Sequence, residues 1–266
     1  MRSQTSKLWM LCPVVAAAFL STAAQAQQTF RVYGGVAENK YSIAFSGSAF
    51  PGYAGKTAKS TYLSENVGFS WVLPQRIYFD LSYQKSASAD HDLWKGFVDG
   101  DKQDLSNKAA TLTGGYIMVQ PSGMSITAFG GLRKSETTLA APKDANPGVF
   151  AFSKDTFDST GAFAGAGVGL PALGGQFSFS GALALLKGTW KDDAPVNPFY
   201  SKADLTLGYS LNAGYTYKFT QALGVSADLR YQLYNFNFTR TSAGVDVPYD
   251  VTEKTVSAGV RLSYQF

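Results

Sequence analysis

Residues 257–266 read SAGVRLSYQF. Phe266 falls in phase with Val256, Ala258, Val260, Leu262 and Tyr264, and Ser257, Gly259, Arg261, Ser263 and Gln265 fill the alternate positions. A period of two means a strand with one apolar face. A strand that uses its last residue needs a neighbour, because an unpaired edge leaves backbone N–H and C=O groups open.

The same alternation recurs upstream. Phe30, Val32, Gly34 and Val36 alternate, and the phase changes before Tyr41, Ile43 and Phe45; one long strand with a bulge near residues 38–40 accommodates both. Further sets run Val67 to Leu73, Ile77 to Tyr83, Ala110 to Met118, Met124 to Leu132, Phe177 to Leu185, Leu205 to Phe219 and Leu223 to Leu233, with a small-residue strand over residues 159–170. Connections alternate in length. Short turns sit near Pro74, Ser122, Leu173 and Gln221, and long segments cover 47–59, 86–108, 135–158, 188–201 and 241–252. No run approaches the ~20 apolar residues of a membrane helix.

Alternation does not say which face is greasy. The polar faces are Ser, Thr, Gly, Asn and Gln rather than Lys and Glu, and only 16% of residues are charged. Such a face suits a lumen, with the apolar face turned to lipid. Phe30, Trp71, Phe177, Tyr217, Phe219, Tyr264 and Phe266 stand near short-turn ends, and Tyr41, Tyr62, Tyr83 and Tyr231 toward the other, as two interfacial girdles. Closure removes the edge problem, so the last strand is expected to pair with the first.

The pattern Ser257-x-Gly259-x-x-Leu262-x-Tyr264, ending in Phe266, resembles the C-terminal β-signal of bacterial outer-membrane barrels. The resemblance implies an all-β, transmembrane, antiparallel up-and-down barrel of about ten strands, with long outer loops and short periplasmic turns. It also implies insertion by the barrel assembly machinery into the outer membrane of a Gram-negative cell, with Gly259, Leu262, Tyr264 and Phe266 as the assembly signal.

Residues 1–26 fit a cleaved secretory signal peptide: Arg2 and Lys7, an apolar run from Leu8, then Ala24-Gln25-Ala26. The barrel domain is expected over 27–266. Cys12, the single cysteine, lies in that leader, so no disulfide is expected in the mature chain. The formal charge of +4 falls to about +2 without Arg2 and Lys7, too little to argue for nucleic acid.

Arg31, Asp80, Arg133, Asp204, Lys218, Asp228, Arg230 and Arg261 project into the lumen, and Asp228 and Arg261 stand at heights that let them pair. Such charges are either structural pairs or a constriction that selects solutes. Lys40, Lys59, Lys85, Lys108, Lys134, Lys154, Lys187, Lys202, Arg240 and Lys254 fall near outer strand ends, an arrangement able to meet lipopolysaccharide phosphates. The only histidine, His91, lies in Asp90-His91-Asp92, which lacks the spacing of the omptin proteases. Asp99, Asp101 and Asp104 fail the EF-hand pattern, and the glycines of 161–169 precede no Gly-Lys-Ser/Thr. No catalytic residue, metal or cofactor is expected. A narrow passive pore for small solutes is the function favoured at this point. A structural or surface-recognition barrel acting through its loops is the alternative, and a barrel hydrolase stands last.

Overall fold

Ten long antiparallel strands close on themselves in a computed structural model that describes residues 28–47, 57–86, 89–91, 103–140, 154–192, 199–242 and 245–266. The long strands are β1 (Thr29–Gly47), β2 (Thr57–Val72), β3 (Ile77–Ser86), β5 (Gln103–Val119), β6 (Ser125–Ala140), β7 (Lys154–Ala172), β8 (Gly175–Asp192), β10 (Thr206–Lys218), β11 (Leu223–Ser242) and β12 (Val245–Gln265). Two short pieces, β4 (Ala89–His91) and β9 (Phe199–Lys202), pair with β5 and β8. Each long strand pairs with its sequence neighbours. The seam is β1 against β12, from Arg31 opposite Gln265 to Gly47 opposite Tyr249. The Phe266 N–H donates to the Phe30 carbonyl at 2.8 Å, so the last residue of the sequence stretch above does find the first strand.

Short turns are built as their residues demand. Leu173 and Gly174 both have positive φ (53° and 73°), the two-residue hairpin geometry whose twist matches the flanking strands. At the turn after β5, Gly123 takes φ of 80°. The start of β1, the end of β12 and all four short turns lie on one side.

Side chains on the barrel exterior are apolar over a limited height. On β12 the outward residues of 256–266 are Val256, Ala258, Val260, Leu262, Tyr264 and Phe266, and above them stand Lys254, Thr252 and Asp250. Leu262 and Phe266 are more than half exposed, a state that a lipid phase satisfies and water does not. Eleven residues match the ~9–11 that a tilted strand needs to cross a bilayer. The strands run well beyond that height.

Above the belt the faces exchange roles. Tyr41, Ile43 and Phe45 of β1 point inward and are buried, as do Phe157, Leu186, Trp190, Tyr234, Phe236, Phe238, Tyr249 and Val251. The phase change in β1 is therefore not a bulge. Its pairing with β2 and β12 runs in constant register past residues 38–40. Apolar residues leave the outer face where lipid ends and occupy the inner face where the barrel enters water. Two of the four tyrosines assigned to the upper girdle, Tyr41 and Tyr62, consequently lie inside this core. Tyr83 and Tyr209 are exposed on the outer wall, and Tyr231 stacks on Tyr209 at 5.9 Å.

The expected long loops shrink for the same reason. Strand pairing continues to Ala140 opposite Lys154, and to Ser242 opposite Val245 where a loop over 241–252 was expected. These extensions read as loops because their outward positions are polar, while their inward ones carry the core.

Candidate functional site: a polar vestibule beneath an apolar plug

Inward positions below the plug are mostly polar, with Phe129 and Phe163 among them, and enclose a cavity of about 590 Å³ that opens at the short-turn end. Thr29, Arg31 and Gln265 stand at its mouth. Tyr33, Asp80, Asp228 and Arg261 line its middle, and Arg133, Arg230, Gln232 and Tyr234 its upper end.

Five inward aromatics face glycine directly across the sheet: Tyr33 opposite Gly68, Tyr78 opposite Gly115, Phe129 opposite Gly165, Phe163 opposite Gly131, and Tyr234 opposite Gly208. A Cβ on Gly165 would meet the Phe129 ring at 2.6 Å, and one on Gly131 would meet Phe163 at 2.7 Å. The glycines let the rings lie flat on the wall, which keeps the vestibule open. Among the glycines of 161–169, Gly165 finds its packing reason here.

The lumen charges divide into paired and unpaired sets. Arg261 Nη2 meets Asp228 Oδ1 at 2.9 Å, the pair expected from strand heights. It is a diagonal contact, since Asp228 faces Gly259 and Arg261 faces Ser226. The Tyr33 hydroxyl donates to Asp80, its oxygen 2.9 and 3.1 Å from the two carboxylate oxygens. Arg31 and Arg261 flank the Tyr33 ring at 5.8 and 5.5 Å from its centroid. Lys218, near the short-turn end, donates to Gln265 Oε1 at 3.2 Å. Arg133 and Arg230 line the cavity with no ion pair or hydrogen bond to another described residue. Asp204 departs from the sequence expectation. It sits in the irregular step between β9 and β10, where Ala203 points inward and both Asp204 and Leu205 are exposed. The extra residue there turns Asp204 away from the lumen.

A belt of small polar groups separates vestibule from plug. Ser257 donates to Asn39 Oδ1 at 2.6 Å, and Asn39 and Gln84 each donate to Ser64 Oγ at 2.8 Å. Asn107 donates to Thr137 at 2.8 Å, and the hydroxyls of Ser135 and Ser159 meet at 2.7 Å. Glu253 is buried at this level, level with outward Lys254 and above the lipid belt of β12. Burial pushes its carboxyl up to about 7, against a smaller opposing pull from Arg133. Sequence reading missed Glu253, Tyr33 and the two phenylalanines. Their inward phase on β12, β1, β6 and β7 was the available signal.

The basic positions at the outer strand ends face outward. Lys40, Lys59, Lys85, Lys134, Lys154, Lys187, Lys202 and Lys254 are exposed. The ammonium of Lys254 lies 5.3 Å from the Tyr231 ring centroid, and that of Lys202 5.7 Å from the Tyr200 ring. The level is not purely basic: exposed Glu38 and Glu65 share it, and Lys108 pairs with Glu136 at 3.3 Å. Arg240 stands near the end of β11, and its side chain lies outside the described residues, as do the side chain of His91 and the whole of Asp99, Asp101 and residues 1–27.

No protein-family model and no curated protein matches the chain. Solved structures do. The outer membrane protease OmpT from Escherichia coli is 10% identical, with 90% of this chain and 96% of that one covered at a TM-score of 0.60. The translocator domain of the autotransporter NalP from Neisseria meningitidis is 10% identical over 93% and 91% of the two chains, at 0.47. The toluene transporter TodX from Pseudomonas putida is 11% identical over 90% of each, at 0.36. At this identity the first likeness shows the fold alone.

Proposed function

We propose that this outer-membrane β-barrel works closed: it spans the outer membrane of a Gram-negative cell, opens only toward the periplasm, and carries its connecting segments outward as a recognition surface. The observation that carries the reading is the plug. Phe157, Trp190, Phe236 and Phe238 fill the interior above the vestibule, each less than a tenth exposed. Phe236 packs edge-on to Phe157 at 4.9 Å between ring centroids, and Trp190 edge-on to Phe45 at 5.5 Å. Buried aromatics of this size contribute ~150–250 Å² of contact each, and a solute path would have to displace several together. The narrow passive pore favoured from the sequence is set aside on that ground.

Planar-bilayer recording tests the reading. The wild-type barrel is expected to give no conductance steps at any voltage, and steps are expected once Trp190 and Phe236 are both replaced by alanine. Steady conductance from the wild type overturns it.

The rim lysines support a second element of the proposal, binding of lipopolysaccharide phosphates at the level where Lys254 caps Tyr231. Replacing Lys40, Lys134, Lys187 and Lys254 together with glutamine is expected to reduce co-purified lipopolysaccharide, and unchanged content refutes it. Export by a cleaved leader and delivery to the assembly machinery by the Gly259–Phe266 segment belong to the same reading, which assigns no catalytic residue.

A further inference from the structure

We infer that the vestibule is a binding site for a small organic acid, with its carboxylate held by Arg133 and Arg230 and its apolar body against Phe129 and Phe163. Four arginines and two aspartates line the cavity. Both aspartates are engaged, Asp228 by Arg261 at 2.9 Å and Asp80 by the Tyr33 hydroxyl. Arg230 sits within electrostatic reach of Asp228, Arg133 and Arg261, and Arg133 within reach of Glu253; with Asp228 bonded to Arg261 and burial favouring the neutral form of Glu253, the upper end of the cavity keeps cationic charge in excess. Neither Arg133 nor Arg230 has a bonded partner among the described residues. Two half-buried guanidinium groups with no carboxylate bonded to them call for an anion. A guanidinium offers two parallel N–H groups that match a planar carboxylate.

The shape fits as well. A volume of about 590 Å³ falls within the range of small-molecule pockets. Phe129 and Phe163 meet edge-on at 6.3 Å, pressed flat by Gly165 and Gly131, and present an apolar wall on β6 and β7. From the short-turn side, Arg31 and Arg261 are matched by Asp80 and Asp228, so the route is close to neutral and the unmatched charge stands at the upper end with Arg133 and Arg230. The ligand class is thus an acid with an aromatic or aliphatic body, reaching the site from the periplasm.

Isothermal titration calorimetry on the detergent-folded full chain tests this, with benzoate, benzyl alcohol and inorganic phosphate as probes. Saturable binding of benzoate is expected, with none for benzyl alcohol and binding of phosphate weaker by about tenfold or more. Arg133→Gln and Arg230→Gln are each expected to weaken benzoate at least about tenfold, the loss of one charge-assisted hydrogen bond. Arg230→Lys, which keeps the charge but not the fork, is expected to fall between. The heat-dependent gel shift of an intact barrel checks that every variant is folded, and the lysine variant carries the test if a glutamine variant is not. Absent benzoate binding, affinity unchanged in the arginine variants, or phosphate bound as tightly as benzoate each overturns the inference. Conductance plays no part in this assay, so its outcome is read separately from that of the closed-barrel proposal.

Discussion

Replacing Glu253 with glutamine is expected to stabilise the barrel at neutral and alkaline pH but not in acid. Glu253 points inward from β12, where Arg133, Tyr41, Tyr62 and Tyr234 are the charged or titratable groups around it. It is 7% exposed. Its carboxyl is raised from the ordinary 4.5 to about 7, chiefly by burial. A raised folded-state value means that the folded barrel prefers the protonated form. The corresponding stability is fully present below about pH 4.5, declines as pH rises, and is gone above about pH 7. At 1.36 kcal/mol per pH unit the interval amounts to about 3 kcal/mol. Glutamine has the shape of the protonated acid and never ionises. Urea unfolding in micelles, followed by tryptophan fluorescence, should show no difference between the two proteins at about pH 4, about 2 kcal/mol in favour of the variant near pH 6, and about 3 kcal/mol near pH 8. A difference constant across the three values would refute the reasoning. So would a variant less stable than wild type near pH 8, which would mean that Arg133 holds an ionised Glu253 strongly enough to offset its burial.

Three further outcomes follow from packing and pairing. Phe236→Ala removes a fully buried ring from the plug and should lower stability by about 3–5 kcal/mol in the same unfolding assay. Gly68→Ala drives a methyl into the Tyr33 ring and should cost about 1–3 kcal/mol, whereas Gly34→Ala, whose added carbon would have 3.6 Å to its nearest neighbour, should be near neutral. Asp228→Asn leaves Arg261 without its carboxylate; with the two side chains 27% and 11% exposed, a loss of about 1–3 kcal/mol is expected, and a double-mutant cycle with Arg261→Gln isolates the pair.

Much of this molecule is legible in its chain. Val260 and Leu262 declare an outward face, Leu173-Gly174 a hairpin, and the run to Phe266 a closed seam. Counting residues up from the turns brought Asp228 and Arg261 together, because strand pairing is a ruler. What the period of two does not carry is the sense of the apolar face. Tyr41 and Val36 are equally apolar signals, and only the neighbours around the barrel tell that one meets lipid and the other meets Phe and Leu. Asp246, Pro248 and Asp250 resemble a loop, yet Tyr249 among them and Val251 just after are buried core. Asp204 was misplaced because one extra residue between β9 and β10 inverts the parity of everything before it. The glycine–aromatic pairs need the register itself: Gly131 and Phe163 are opposite only once β6 and β7 are aligned.

The exchange of apolar faces partway up most of the long strands gives the chain two solvents to satisfy at once. Its upper cap has the layout of a water-soluble barrel, and its lower skirt that of a membrane protein. Stripped of amphiphile, the cap has grounds to hold its shape while the skirt does not, so molecules would meet skirt to skirt with their caps facing apart. Such discrete, oriented pairs, rather than amorphous precipitate, are what this division of labour implies.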